Sequence, residues 1–251
     1  MSFLHAIAIF GAGIVAGTIN TVVGSGTLFT FPVLLAFGYA PVVANVSNTL
    51  GLVPGSATGA FGYRRELAGQ RARALPLAAA SVSGGVCGAV LLLVLPASAF
   101  KAIVPAFIIV ALLLILFQPR IGQALEKRRE EKVRRRAGPL GTAAVFGSGL
   151  YGGYFGAAQG ILVLAILGLS LDEELQRINA LKVVLTGLVN FVAALVFVIA
   201  AHVAWGPAAL IAAGATLGGL VGARVGRRLP EAVFKAVIVA IGIFAIVRLV
   251  S

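Results

Sequence analysis

The chain has 251 residues, of which 60% are hydrophobic and only 11% charged, and its mean hydropathy is +1.05. A soluble domain carries about twice that share of charge, so a water-soluble globular fold is excluded and no room remains for a sizeable soluble domain. The net charge of +12 does not point to nucleic acid, because the basic residues sit in short segments between apolar runs, as they do in cytoplasmic loops of membrane proteins.

Apolar segments run from end to end at approximately 4–22, 27–38, 43–63, 74–95, 99–117, 140–156, 159–170, 178–200, 207–223 and 231–249. The start carries no positively charged stretch and is read as a first membrane element, not a cleaved leader. The second and seventh segments are too short to cross a bilayer comfortably. Each follows a longer run across a glycine-rich turn, Gly24-Ser25-Gly26-Thr27 or Gly156-Ala157-Ala158-Gln159-Gly160. Such pairs read as helical hairpins whose tips stop near mid-membrane. Arg64, Arg65, Arg71 and Arg73 mark one inside loop and Arg224, Arg227 and Arg228 another. Between them Arg120–Arg136 holds eight Lys/Arg against three Glu, a cytoplasmic linker beside anionic headgroups. Segments 38–43 and 201–206 carry no Lys or Arg and belong outside.

The chain also repeats itself at an offset of 134 residues. Gly84-Gly85-Val86-Cys87-Gly88-Ala89 falls on Gly218-Gly219-Leu220-Val221-Gly222-Ala223, Leu95-Pro96 on Leu229-Pro230, and Phe100-Lys101-Ala102 on Phe234-Lys235-Ala236. The basic loop 64–73 corresponds to the uncharged 198–207, and the nearly uncharged 90–97 to the arginine-bearing 224–231. Because loop charge sets orientation, the halves are expected to lie upside down relative to each other. The expected fold is an all-α polytopic membrane protein of two inverted-topology repeats. Each repeat has a broken hairpin plus three transmembrane helices, 1–120 and 138–251, joined by a linker at 121–137, with both termini outside. A parallel duplication with one miscounted segment is the competing reading.

Polar groups inside a bilayer are costly and mark candidate sites. Lys182 opens a long apolar run; it reads either as an anion-binding cation or as a lysine snorkelling to the inner surface. Its counterpart at the offset is Asn48. Residues 45, 48, 49, 52 and 56 share a helical face, as do 179, 182, 186 and 190, so Asn45, Asn48, Thr49, Asn179 and Asn190 form two matched polar faces. Hydrogen bonding between helices is the plainer account of such faces. The hairpin tips add backbone donors: Gly24, Ser25, Gly26 and Thr27 on one side, Gly156, Gln159 and Gly160 on the other, an arrangement suited to an oxyanion. The pairs Gly13/Gly17, Gly84/Gly88, Gly149/Gly153 and Gly218/Gly222 read as helix-packing contacts. All eight acidic residues, Glu66, Glu126, Glu130, Glu131, Asp172, Glu173, Glu174 and Glu231, fall in loops or at helix ends, which argues against a buried carboxylate relay or a cage for cations. The single cysteine, Cys87, excludes an internal disulfide and a cysteine-based metal site. No cofactor and no metal is expected. An intramembrane hydrolase built on Ser25 and His202 lacks a nucleophile motif.

Three stretches resemble the TauE/SafE sulfite-exporter family over almost the full length: Ala16-Gly17-Thr18-Ile19-Asn20-Thr21-Val22-Val23-Gly24-Ser25-Gly26-Thr27 with Phe31-Pro32-Val33-Leu34-Leu35, then Gly149 to Gly160, then Ile178-Asn179-Ala180-Leu181-Lys182 with Asn190 following. The opening loop has fewer consecutive glycines than is common in that family, and Val183 stands where many members carry Asn. The resemblance implies a transporter of sulfite, organosulfonates or related small anions in a bacterial or archaeal cytoplasmic membrane, with Lys182 as a substrate ligand. A carboxylate carrier and a non-transporting membrane subunit are the alternatives. The expected partners are the anion and the lipid bilayer, with homo-oligomerisation left open.

Overall fold

The computed structural model describes residues 2–130, 138–225, 239, 240, 242–247 and 249. Residues 131–137 of the basic linker, Arg227, Arg228, Glu231, the Leu229-Pro230 and Phe234-Lys235-Ala236 blocks, and most of the tenth apolar run lie outside the described residues. Among those described, the structure is all helical: α1 (Phe3–Val22), α2 (Thr27–Ala36), α3 (Pro41–Gly62), α4 (Arg71–Val94), α5 (Ala97–Glu130), α6 (Pro139–Tyr154), α7 (Gln159–Ser170), α8 (Leu175–Ala200) and α9 (Trp205–Val225).

The local reasons for these boundaries are visible in the residues. Ser2 caps α1 by accepting from the His5 N–H. Pro41 and Pro139 open α3 and α6, where a missing N–H costs nothing. α5 does not stop with the apolar run but continues to Glu130, because Glu, Lys, Arg and Ala are good helix formers. Among the described residues five helices, α1, α4, α5, α8 and α9, are long and apolar enough to cross a membrane, and α2 and α7 are shorter apolar helices. Large apolar side chains such as Phe3, Leu75, Val94, Ile199 and Trp205 face outward, as lipid contact demands and water does not favour.

The helix starts respect the offset found in the sequence. α3 begins at Pro41 and α8 at Leu175, α4 at Arg71 and α9 at Trp205, each pair 134 positions apart. The two non-helical turns do the same: Gly24 (φ 87°) and Ala158 (φ 57°) both adopt left-handed backbone and are 134 positions apart. An alanine in that region is strained, and the surrounding hairpin holds it there.

Packing exchanges elements between the halves. α1 lies against α9, and its counterpart α6 against α4; α9 also lies against α3, and α4 against α8. The repeated glycine block is what brings these backbones together. A Cβ at Gly84 would lie 2.2 Å from the Phe146 carbonyl oxygen, and one at Gly218 2.1 Å from that of Ile14. Gly85 meets Val189 and Val192 on α8, while Gly219 meets Gly55 and Thr58 on α3. Gly88 and Gly222 close on α6 and α1. The glycine pairs are therefore helix-packing contacts, where a small residue allows close approach.

Neighbour order along these contacts gives helix directions. Gly13 and Gly17 of α1 meet Ile211 and Ala215 of α9, and Gly51 and Gly55 of α3 meet the same two residues, so α1, α3 and α9 run the same way. Gly149 and Gly153 of α6 meet Ser81 and Gly85 of α4, and Gly85 lies against Val189 while the Ser81 hydroxyl bonds the Leu185 carbonyl, so α4, α6 and α8 share a direction. α3 and α8 cross with opposed order, Gly59 beside Val183 and Ser56 beside Gly187.

Candidate functional site

The two hairpin turns meet in the interior. The Gly160 N–H donates to the Gly24 carbonyl at 3.0 Å, and a Cβ at Gly24 would lie 2.4 Å from the Gly160 Cα. Only glycine at both positions lets the turns approach this closely. Gly24, Ser25, Gly26 and Thr27 are all buried, as are Gln159 and Gly160, while Gly156 is half-buried.

Lys182, on α8, is fully buried with 0% exposure. It does not snorkel. Its Nζ donates to the main-chain carbonyls of Thr21 and Val22, both at 3.2 Å. These are orphan carbonyls at the C-terminal end of α1, where the helix dipole is negative. An ammonium has three protons, and the third has no partner among the described residues. α8 is fixed five positions earlier: Arg177 bonds Glu173 at 2.7 Å and the Ala68 carbonyl, Arg73 bonds the same carboxylate at 2.6 Å, and Gln70 donates to the Arg177 carbonyl at 3.1 Å. This clasp ties the 63–70 loop to the start of α8. Burial acts to raise the Glu173 pKa, but Arg177 and Arg73 outweigh it and hold the carboxyl below the usual range.

On α3, Asn48 is fully buried and faces the start of α2: its Nδ2 donates to Thr27 Oγ1 at 3.2 Å, and its Oδ1 accepts from the Thr30 hydroxyl. Asn45 reaches across to the other half, where its Nδ2 donates to the Tyr154 carbonyl at 3.0 Å, at the C-terminal end of α6. Each half thus sends one polar side chain from its third helix to the end of the opposite first helix, Lys182 to α1 and Asn45 to α6.

The remaining candidates are placed less centrally. The Thr49 hydroxyl is bonded to the Asn45 carbonyl in its own helix. Gln159 folds back along α6, donating to the Ser148 carbonyl at 3.1 Å. Asn179 is buried and Asn190 half-buried, and neither makes a side-chain hydrogen bond among the described residues. His202 is exposed in the turn after α8, whereas Ser25 is buried at the first tip. Thr30, Asn20 and the carbonyls of Thr21 and Val22 do not stand out in the sequence. Thr27 and Thr30, one helical turn apart, are the available signal for the face of α2 that meets Asn48; backbone carbonyls leave none. Asn20 bonds the Ser56 hydroxyl at 3.3 Å. An aromatic cluster closes the second tip against α2 and α5, with Phe31 edge-on to Phe155 at 5.2 Å and Phe107 edge-on to Tyr151 at 5.1 Å.

Comparison with known proteins identifies the family. The family described as Sulfite exporter TauE/SafE matches residues 9–249. The probable membrane transporter protein YfcA of Escherichia coli (strain K12) is 28% identical over 219 residues, covering 86% of this chain and 79% of that protein. The probable membrane transporter protein ORF9 of a Sinorhizobium species is 28% identical over 244 residues, covering 97% and 91%. A probable membrane transporter protein of Haemophilus influenzae is 27% identical over 218 residues, covering 86% and 83%. No solved structure matches the chain. A family match over nearly the whole sequence means that the chain belongs to the TauE/SafE family of membrane transporters.

Proposed function

We propose that the protein carries a small sulfur-containing anion, sulfite or an organosulfonate, across the cytoplasmic membrane by alternating access, with no catalytic chemistry. The observation that carries this reading is Lys182: a fully buried cation at a hairpin tip, bonded to helix-end carbonyls and with one proton unpartnered among the described residues. With no carboxylate bonded to it among the described residues, this buried ammonium is held by carbonyl dipoles and attracts an anion. The described carboxylates support the same sign. Glu66, Asp172, Glu173 and Glu174 lie in loops, and Glu126 and Glu130 at the far end of α5.

The architecture proposed for this activity is a pair of inverted repeats, 1–120 and 138–251, joined by the cytoplasmic linker 121–137, with both termini outside. The opposed directions of α1, α3 and α9 on one side and α4, α6 and α8 on the other support it, since equivalent helices then run antiparallel. Tips that enter from opposite faces and touch at Gly24 and Gly160 must share one depth, which favours hairpins that turn within the membrane. A site between such halves is opened to each side in turn by rocking one against the other. Lys182 supplies charge, and Asn48 and Thr27 hold the short helix α2 in place.

Sulfite flux into proteoliposomes in alkaline buffer tests the reading, with methanesulfonate and acetate as competitors. Saturable flux inhibited by methanesulfonate more strongly than by acetate is expected. Flux of acetate without flux of sulfite would move the substrate class to carboxylates.

A further inference from the structure

The two hairpin tips are equivalent in sequence position but not in hydrogen bonding. At the second tip, the amides of Gln159, Gly160 and Ile161 are all paired, with the carbonyls of Gly156, Gly24 and Ala158. Their counterparts at the first tip, Ser25, Gly26 and Thr27, are all unpaired among the described residues, although each residue is buried. The Ser25 hydroxyl, on a residue only 1% exposed, also has no partner there. Four donors without acceptors among the described residues, on three consecutive buried residues, are a large deficit, because an unsatisfied buried donor carries its full desolvation penalty. They stand at the start of α2, a ten-residue helix with no side-chain cap, where the dipole is positive.

The orientation of these donors follows from one peptide plane. No cis peptide is present among the described residues, and in a trans peptide the C=O and N–H point in opposite directions. The Gly24 carbonyl points at Gly160, so the Ser25 N–H points away from the second tip. Lys182, with its unpartnered third proton, is bonded to Val22, three positions before Ser25. The second tip keeps free amides at Ala157 and Ala158, but no cation accompanies them among the described residues, and the unpaired Oδ1 of Asn45 beside Tyr154 is an acceptor that opposes an anion.

We propose that the oxyanion is held at the first tip alone, in a cradle of the Ser25, Gly26 and Thr27 amides and the Ser25 hydroxyl that opens away from the second tip. This rests on the anion-transport reading and deepens it. Three amides and a hydroxyl match the several oxygens of a sulfite or sulfonate group, each taking a charge-assisted hydrogen bond. Ser25 is then a specificity-determining residue, the side chain that a plain glycine turn lacks.

The test uses the full-length protein in detergent, with sulfite, methanesulfonate and acetate as probes, binding measured by calorimetry and amide protection by hydrogen–deuterium exchange. The anion is expected to protect peptides covering 24–28 and to leave those covering 157–162 unchanged. Ser25→Ala should bind about tenfold more weakly, the loss of one hydrogen bond to a charged group. Its ligand-free melting temperature should hold or rise, because the hydroxyl removed has no partner among the described residues. Ser83→Ala, on an exposed residue of α4 whose hydroxyl bonds only within its own helix, serves as the control and should bind as the parent does. Binding with protection at 157–162 alone, or undiminished in Ser25→Ala, would overturn the single-tip cradle while leaving anion transport standing. A parent protein that binds none of the three anions would overturn both.

Discussion

Lys182 on α8 donates to the main-chain carbonyl of Val22 at 3.2 Å, so a cation from one half of the chain closes the broken end of a helix in the other. The contact has two separable parts: hydrogen bonds that satisfy orphan carbonyls, and a charge available to an anion. Lys182→Ala removes both. It should lower stability by about 2 kcal/mol, the scale of a buried acceptor left unpaired, and reduce sulfite flux at least about tenfold. Lys182→Gln keeps an N–H donor for the carbonyls but no charge. It should recover most of the melting temperature and none of the flux. Equal recovery of both would make Lys182 a cap and nothing more.

The repeated glycine block sets how closely the halves pack. A Cβ at Gly88 would lie 2.0 Å from the Leu150 carbonyl oxygen, a backbone atom that cannot swing aside. Gly88→Ala should therefore destabilise by about 1–3 kcal/mol, as overpacking does. Gly147 lies on α6, the helix that Gly88 meets, yet a Cβ there would have no neighbouring atom within 4 Å. Gly147→Ala should be neutral or stabilising by up to about 1 kcal/mol through helix propensity. Apparent melting temperatures of the two variants in one detergent decide the matter.

Much of this architecture was legible in the sequence because it depends on spacing. The seventh apolar segment, 159–170, is α7 as observed, and the offset of 134 reappears in helix starts and in the left-handed turns. Burial of the residues singled out is mostly observed: 45, 48, 49, 52 and 56 are buried, as are 179, 182 and 186, while 190 is half-buried. What escaped was the choice of partner. Lys182 meets carbonyls of Thr21 and Val22, and every residue has a carbonyl, so no residue type announces it. Gln159 carries the right donors but folds back to Ser148, a rotamer decision that composition does not record. The unequal pairing of the two tips likewise arises from backbone geometry at equivalent positions.

The proposed inverted arrangement makes a prediction about sidedness. In a Cys87→Ser background, needed because Cys87 is exposed, single cysteines are placed at Ala68 and His202, both exposed in turns. The basic loop around Ala68 should be cytoplasmic, and the uncharged turn at His202 outside. A membrane-impermeant maleimide added to intact cells should label His202→Cys and spare Ala68→Cys until the membrane is opened. Labelling of both from outside would contradict the charge-derived orientation.

The clasp around Glu173 gives a pH dependence with a definite sign. Arg177 and Arg73 hold its carboxyl below the ordinary range against the opposing effect of burial. A group whose pKa is depressed on folding contributes stability above its unfolded pKa, about 4.3 for glutamate, and loses it as pH falls through the folded value. The parent should therefore lose melting temperature on acidification below about pH 4.3, and Glu173→Gln should lose less over the same window while starting lower at neutral pH. The neutral-pH difference should be about 1 kcal/mol or less, since both arginines remain partly exposed to solvent. Because the clasp fixes the start of α8, its loss should also loosen Lys182, five positions beyond Arg177. That would appear as faster hydrogen exchange in peptides spanning 177–183 of Glu173→Gln at neutral pH. Exchange identical to the parent would confine the clasp to the loop and separate it from the site.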